Sequence, residues 1–336
     1  MSQWFEATAP ARVDLAGGTL DLWPLHVLHP GSCTINVAID LRATCRVRPG
    51  ASGFRVTVPD LGYERVVGEA RELLADPRGA LAGAVLEALE VREPREIELS
   101  SDVPFGSGLG GSSALTVAMA AALAASVDGK FEGPGRVDFV RDVETRVLGK
   151  PAGIQDYYPP LSGGLHTLEF EPGTVSVRRR EADPGAWLKH LTLFDTRAAH
   201  SSGMNNWEIF RARLEGDHQV GARLEEVRAA AREMAEAVES PDFRAMGAAL
   251  GREWEARRRL APVVSSPVIE EAIATARRAG AWAGKACGAG GGGCVVILAP
   301  PDKTPAVREA LSRLPSGRLL LVAPENRGLR VLRPAA

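Results

Sequence analysis

The stretch "PFGSGLGGSSAL" (Pro104–Leu115) decides how this chain of 336 residues is read. Four glycines and three serines stand between an alternating run, Glu96 to Val103, that predicts a strand and an alanine-rich run that predicts a long helix. Gly106, Gly108 and Gly111 match G-x-G-x-x-G, the spacing that seats a dinucleotide's pyrophosphate on a helix N-terminus. That reading needs a second strand closed by an acidic residue about 20 residues further on. Here the helix runs into Asp128-Gly129-Lys130 and a Gly133-Pro134-Gly135 break, with no apolar parallel strand. A P-loop is excluded because G-x-x-x-x-G-K-[ST] does not occur near the loop. What remains is a helix N-terminus with free N–H groups behind glycines that let backbone approach an anion, which is a polyphosphate cradle. Ser112 and Ser113 stand where a capping residue would. Adjacent hydroxyls at a phosphate site can also ligate Mg²⁺, so capping and metal binding stand level for Ser112, and metal is preferred for Ser113.

A net charge of −2 and a pI near 6.4 give no basic footprint, so nucleic acid is not an expected partner. Arginine carries most of the basic charge, and its densest runs, Arg178–Arg180 and Arg257–Arg259, read as solvated surface. The start "MSQWFEATAP" lacks a basic and then apolar leader, and the longest nearly apolar run, Ala114 to Val127, falls short of the ~20 residues of a membrane span. A cytoplasmic protein without membrane association, monomeric or homodimeric, is expected. Cys33, Cys45, Cys287 and Cys294 show no C-x-x-C spacing and read as buried or semi-buried free thiols.

Strands are expected at Ala11–Leu15, at Ser32–Arg48 with an interruption, and at Phe54–Pro59. Val137 to Leu148 reads as a helix ended by Gly149, and "SGGLHTLEFEPGTVSVRR" as a hairpin turning at Glu171-Pro172-Gly173. The texture changes near Leu188. The strand "LKHLTLFDT", charged helices from Asn205 to Leu260, the helix "SPVIEEAIATARRAG", the strands "CVVILAP" and "RLLLVAP", and a helix at Pro305–Leu314 suit antiparallel sheet packed on helices. The expected class is α+β with two domains, 1–187 and 188–336.

"PFGSGLGGSSAL" resembles the central phosphate motif of the GHMP kinases, the superfamily of galactokinase, homoserine kinase, mevalonate kinase and phosphomevalonate kinase. "APARVDLAGGTLDLW" (Ala9–Trp23) resembles its N-terminal substrate motif, and "KACGAGGGGCVVIL" (Lys285–Leu298) its C-terminal glycine motif. The three lie in the family's order and span most of the chain. Sugar kinases of the heptose 7-phosphate kinase and fucokinase type are the nearer likeness, on "RVDLAGGTLD", the extra residue in "GLGGSSA", and "GIQDYYPPLSGG" (Gly153–Gly164). Leu20 stands where such sequences usually carry threonine, and Tyr157 replaces a glutamine. The resemblance implies an N-terminal domain like the second domain of ribosomal protein S5, a ferredoxin-like C-terminal domain, and an active site between them.

The same resemblance assigns roles. ATP is expected on Pro104, Gly106, Ser107, Gly108, Leu109, Gly110, Gly111, Ser112 and Ser113, with Mg²⁺ on Ser113 and Glu144. Asp156 matches the catalytic aspartate that takes the acceptor's proton, where a plain loop carboxylate is the alternative. Arg12 matches a cation beside it that favours the ionised carboxylate and a developing alkoxide. Asp21, Gly18, Gly153 and Gln155 are expected to hold the substrate, and Gly288, Gly290 and Gly291 to floor the nucleotide loop, where side chains would block close approach. His26 and His200 are left outside the catalytic set. The expected function is ATP- and Mg²⁺-dependent transfer to a sugar hydroxyl, the anomeric one, giving a sugar 1-phosphate. An isoprenoid-pathway kinase, a catalytically silent nucleotide-binding regulator and a nicotinamide oxidoreductase are the alternatives. The polar "GGTLD" and "AHSSGMNN" segments favour a hydroxyl-rich ligand over the first, and intact Asp156, Glu144 and Arg12 count against the second.

Overall fold

A computed structural model describes residues 4–198 and 202–333, with side chains in the second segment described from Asn206 onward. His200 and the first residues of "AHSSGMNN" lie outside the described residues. The first sheet is built from β1 (Phe5–Ala16), β2 (Cys33–Pro49), β3 (Phe54–Val58), β4 (Tyr63–Val67), β5 (Arg95–Ser101), β6 (Leu165–Glu171) and β7 (Thr174–Arg180). The long β2 pairs with β1 throughout, with β6 along its first half and with β5 along its second. The expected interruption is a bulge within this continuous strand, where the register steps from Pro10↔Arg42 to Ala11↔Ile39. β6 and β7 form the expected hairpin, with Gly173 at φ 81 in its turn.

The second sheet holds β8 (Leu191–Asp195), β9 (Ala283–Ala286), β10 (Cys294–Leu298) and β11 (Arg318–Leu320) in the antiparallel order β11-β8-β10-β9. Strand order 4-1-3-2 with helices in the two long connections is the ferredoxin-like arrangement. The tail crosses the division between the sheets, because β12 (Arg330–Leu332) pairs with β1.

The helices are α1 (Leu25–Leu28), α2 (Ala80–Ala88), α3 (Gly111–Ser126), α4 (Arg136–Leu148), α5 (Tyr158–Ser162), α6 (Pro184–Leu188), α7 (Ser202–Leu214), α8 (His218–Glu239), α9 (Phe243–Arg257), α10 (Pro267–Arg278) and α11 (Thr304–Ser312). α4 stops at Gly149, which takes the left-handed φ of 62 that an αL cap demands. α3 packs on β1 and β2, and twelve of its 16 residues are buried, mostly alanines, so small side chains let the helix axis lie close to the sheet. Val13, Leu15, Ile35 and Val37 of the first sheet share one core with Leu193 and Val296 of the second and with Met234 and Leu250 of α8 and α9. The two halves are therefore held by a continuous apolar interior, and the glycine loop at 104–113 lies at its edge. All four cysteines are free and buried, and no helix among the described residues is long and apolar enough to cross a membrane.

Close packing of α3 makes a size test direct. Ala118 is fully buried, so Ala118→Leu is expected to cost about 1–3 kcal/mol through overpacking, measured as a lowered urea midpoint with an unchanged slope.

Candidate active site

β1 brings Arg12 to the glycine loop, whose backbone carbonyls hold both the main chain and the side chain of Arg12. The Arg12 amide donates to the Leu109 carbonyl at 2.9 Å, and its Nη1 donates to the Gly108 carbonyl at 2.5 Å. Nε and Nη2 reach Asp156 Oδ1 and Oδ2 at 2.9 and 2.8 Å, a two-pronged pair. Burial opposes the Arg12 charge, and Asp156 and Asp14 more than offset that, so its pKa is raised.

The loop earns its glycines by geometry. Gly106, Gly108 and Gly110 take φ of 66, 74 and 72, and Gly110 stands before the first residue of α3. Ala114 donates to the Gly110 carbonyl, which leaves the amides of Gly111, Ser112 and Ser113 without an intrahelical acceptor. The C-terminal glycine stretch lies directly beneath. A Cβ on Gly288 would stand 3.1 Å from the Gly108 carbonyl oxygen, and one on Gly293 would stand 2.6 Å from that of Ser107. Gly290 and Gly291 sit one step back, against the Val264 carbonyl, which accepts the Gly291 amide at 2.7 Å. The Leu109 side chain is buried in the shared core, so only its backbone faces the loop.

Ser112 and Ser113 do not cap α3, which has no side-chain cap, and the capping alternative for Ser112 is corrected accordingly. Both hydroxyls turn instead to Glu144 on α4. Oε1 of Glu144 accepts from Ser112 at 2.7 Å and Thr116 at 3.3 Å, and Oε2 accepts from Ser113 at 2.9 Å and Tyr157 at 2.8 Å. Burial pushes the Glu144 carboxyl up, and the hydroxyls of Ser112, Tyr157 and Ser113 pull it back. A hydroxyl that donates to a carboxylate keeps its lone pairs for a cation, so Ser113 offers one hard oxygen, and Glu144 would offer a second by exchanging one of its four donors for the cation. Among the described residues no group of three or more His, Cys, Asp or Glu could hold a metal. The donor set fits Mg²⁺ shared with phosphate oxygens, its usual protein environment.

Asp21 lies across the site on the loop after β1. It accepts the Gln155 amide at 3.1 Å, and Gly153 faces it so closely that a Cβ there would stand 2.0 Å from Oδ2. Burial, with the nearby Asp156 charge adding to it, raises the Asp21 pKa to about 7. Gly18 backs onto Asp14 Oδ2 and Gln155 Nε2, which a Cβ would meet at 2.8 and 2.9 Å. The sequence-derived residues thus converge, while His26 stacks on Phe170.

Sequence reading missed a second set. Arg257 is 1% exposed, so it is not surface as its run suggested, while Arg258 and Arg259 are exposed. Its Nε donates to Glu253 Oε1 at 2.7 Å, and Lys285 bridges Glu253 at 3.2 Å and Asp14 at 3.1 Å. Two signals were available: Glu253 and Arg257 are four apart on a helix, and Asp14 follows Arg12 on the same face of a strand.

Comparisons with known proteins bear on the family and the fold. The family models "GHMP kinases N terminal domain" and "GHMP kinases C terminal" match residues 78–164 and 234–316. D-glycero-alpha-D-manno-heptose 7-phosphate kinase of Campylobacter jejuni is 29% identical over 60% of this chain and 60% of its own, so the match spans somewhat less than two thirds of that relative. Mevalonate kinase of Methanothermobacter thermautotrophicus is 29% identical over 88% of this chain and 90% of its own. The crystal structure of a D-glycero-D-manno-heptose 1-phosphate kinase from Bacteriodes thetaiotaomicron superposes with a TM-score of 0.77 at 22% identity, covering 99% of this chain and 100% of that one. The chain belongs to the GHMP kinases, with their two-domain fold, and its activity class is that of a kinase.

Two expectations follow from the carboxylates. The Asp21 pKa of about 7 lies above its unfolded value of 3.8, so the native state keeps a proton that the unfolded chain releases. Stability therefore falls as pH rises from about 4 to about 7 and levels off above that. Asp21→Asn should remove this decline and raise stability above pH 7 by up to about 4 kcal/mol, as urea unfolding at pH 5 and pH 8 would show. Tyr157→Phe removes one donor from buried Glu144 and should cost about 1–3 kcal/mol, read in the same assay at pH 8.

Proposed function

We propose that this protein is an ATP- and Mg²⁺-dependent sugar kinase whose acceptor is the anomeric hydroxyl, giving a sugar 1-phosphate. The observation that carries the reading is the Arg12–Asp156 pair, set against the carbonyl of Gly108 in the glycine loop. Residues 104–113 would seat the triphosphate on the free amides of Gly111 to Ser113, over the floor formed by Gly288, Gly290 and Gly291. Ser113 and Glu144 would hold the cation. Mg²⁺–ATP supplies the phosphoryl group and, with its metal, neutralises charge on the phosphates. Asp156, 28% exposed where Arg12 is 3% exposed, stays partly open to solvent, and would accept the acceptor's proton while Arg12 keeps it aligned. Asp21, Gly18, Gly153 and Gln155 would shape the acceptor's place.

A polyol suits this place better than a carboxylic acid. Gln155, beside Asp21 and Gly18, has a buried side-chain oxygen without a hydrogen-bond donor, and a hydroxyl group would supply one. Mevalonate, the substrate in the name of one relative, would bring a carboxylate that calls for a free cation. Arg12, Arg257 and Lys285 are each already paired with carboxylates. The names of the heptose-phosphate kinases raise a heptose as a candidate acceptor, and a phosphate on it would, like the carboxylate of mevalonate, need a cation other than these three. Four free thiols suit the reducing cytoplasm.

ADP release measured over free and phosphorylated hexoses and heptoses, with mevalonate alongside, tests the class. Asp156→Asn on the best acceptor is expected to lower kcat by about 10²–10⁴ with ATP affinity unchanged. Full activity in that variant would remove Asp156 from the chemistry. Turnover of mevalonate alone would replace the sugar reading.

A further inference from the structure

We infer that Arg257, at the end of α9 in the second half of the chain, is a positioning residue that holds the Gly17–Leu22 loop in the shape presenting Asp21 to the acceptor. The inference rests on the sugar-kinase reading above for what the loop binds, and on geometry alone for what holds the loop. Arg257 Nη2 donates to the Gly18 carbonyl at 2.6 Å and Nη1 donates to the Thr19 hydroxyl at 3.1 Å. Thr19 in turn donates to Asn206 Oδ1 on α7 at 2.9 Å, so both roles of its hydroxyl are engaged. Its φ is 76, a conformation that β-branched residues adopt only where surroundings over-determine it. Gly17 leaves no slack on the other side, since a Cβ there would stand 2.0 Å from the Cys33 carbonyl oxygen.

Arg257 is itself pinned. Glu253 accepts from its Nε, and Lys285 joins Glu253 to Asp14, so two cations and two carboxylates, each at most 1% exposed, sum to no net charge. Burial opposes ionisation of Asp14, and Lys285, Arg257 and Arg12 outweigh it, holding its pKa below the usual carboxylate range. Such a network is a poor source of stability, because desolvation cancels much of the attraction, and its best attested use is to fix register. Here the register is that of the loop against β1, on which Asp14 follows Arg12. Only a planar fork can serve Glu253, Gly18 and Thr19 together, so lysine at 257 would keep the charge and lose the clamp.

The test compares the wild type with Arg257→Lys, Thr19→Val and Thr19→Ser by amide hydrogen exchange and by ADP-release kinetics on the best acceptor. Arg257→Lys is expected to speed exchange across residues 17–22 by about tenfold or more while residues 104–113 keep their protection. The KM for the acceptor should rise by about 10- to 100-fold with the KM for ATP unchanged. Thr19→Val should move both readouts in the same direction, and Thr19→Ser, which keeps the hydroxyl, should restore them. Wild-type exchange across 17–22 in a folded Arg257→Lys protein overturns the inference, as does a rise of both KM values together, the mark of a mere staple between the halves. Should Arg257→Lys fail to fold, Thr19→Val decides by the same criteria, because it leaves the four charges intact. Wild-type protein that turns over no acceptor counts against the kinase substrate reading, and the exchange data then decide the positioning role on their own.

Discussion

Arg12 sits 3% exposed where three segments far apart in the chain meet: β1, the loop at 104–113 and the turn carrying Asp156. A guanidinium has five donors and no acceptor, and it cannot discharge itself by losing a proton. Once buried, it must be met by oxygen on every side. Asp156 meets two of its donors, the Gly108 carbonyl meets a third, and Leu109 anchors the backbone behind it. Moving any partner leaves a buried charge uncompensated, so the positions of the loop and the aspartate are mutually dependent. The proposed phosphate path and the proposed proton acceptor would thereby be aligned before any ligand arrives, which is where phosphoryl transfer gains most from a protein.

The second half of the chain contributes to this arrangement from beneath. Its glycine stretch touches the loop at 104–113 backbone to backbone, with the Cys294 amide donating to the Ser107 carbonyl at 2.8 Å. Side chains at Gly288 or Gly293 would force the two loops apart. The halves also share an apolar core, so the floor cannot drift away from the loop without exposing Val13, Val296 and their neighbours. Lys285, which opens the same glycine stretch, reaches Asp14 on β1 and so ties floor, helix and strand together.

Several features around the site work against stability. Asp21 is buried with only partial compensation for its charge, Thr19 is held at a positive φ, and oxygens of Asp14, Asn36 and Gln155 lack donors. A fold optimised for stability alone would replace or pair such groups. They gather near Asp156, and such a concentration of strain and unpaired polar groups supports the proposed place of the acceptor.

Much of this was legible in the sequence, and the legible part is local. The start of α3 after Gly110, the end of α4 at Gly149 and the β6–β7 turn at Gly173 follow from short-range φ requirements that glycine alone meets cheaply. The three motifs named the family, and the residues they carry do converge. The serines illustrate the limit. Their place at a helix start suggests a cap, yet both hydroxyls turn to Glu144, because a buried carboxylate gains more from donors than a partly exposed helix end does. The short β9 and β12 are too brief to announce themselves, and they exist because β10 and β1 offer open edges. Arg257 reads as one of three equivalent surface arginines. Only packing from a segment 239 residues away buries it, and Lys285 meets Asp14 across 271 residues. The sequence by itself determined where backbone must bend and which side chains carry the chemistry, since those depend on covalent neighbours. Tertiary structure alone decided which charges lose their water, because desolvation depends on what the rest of the chain stacks above them.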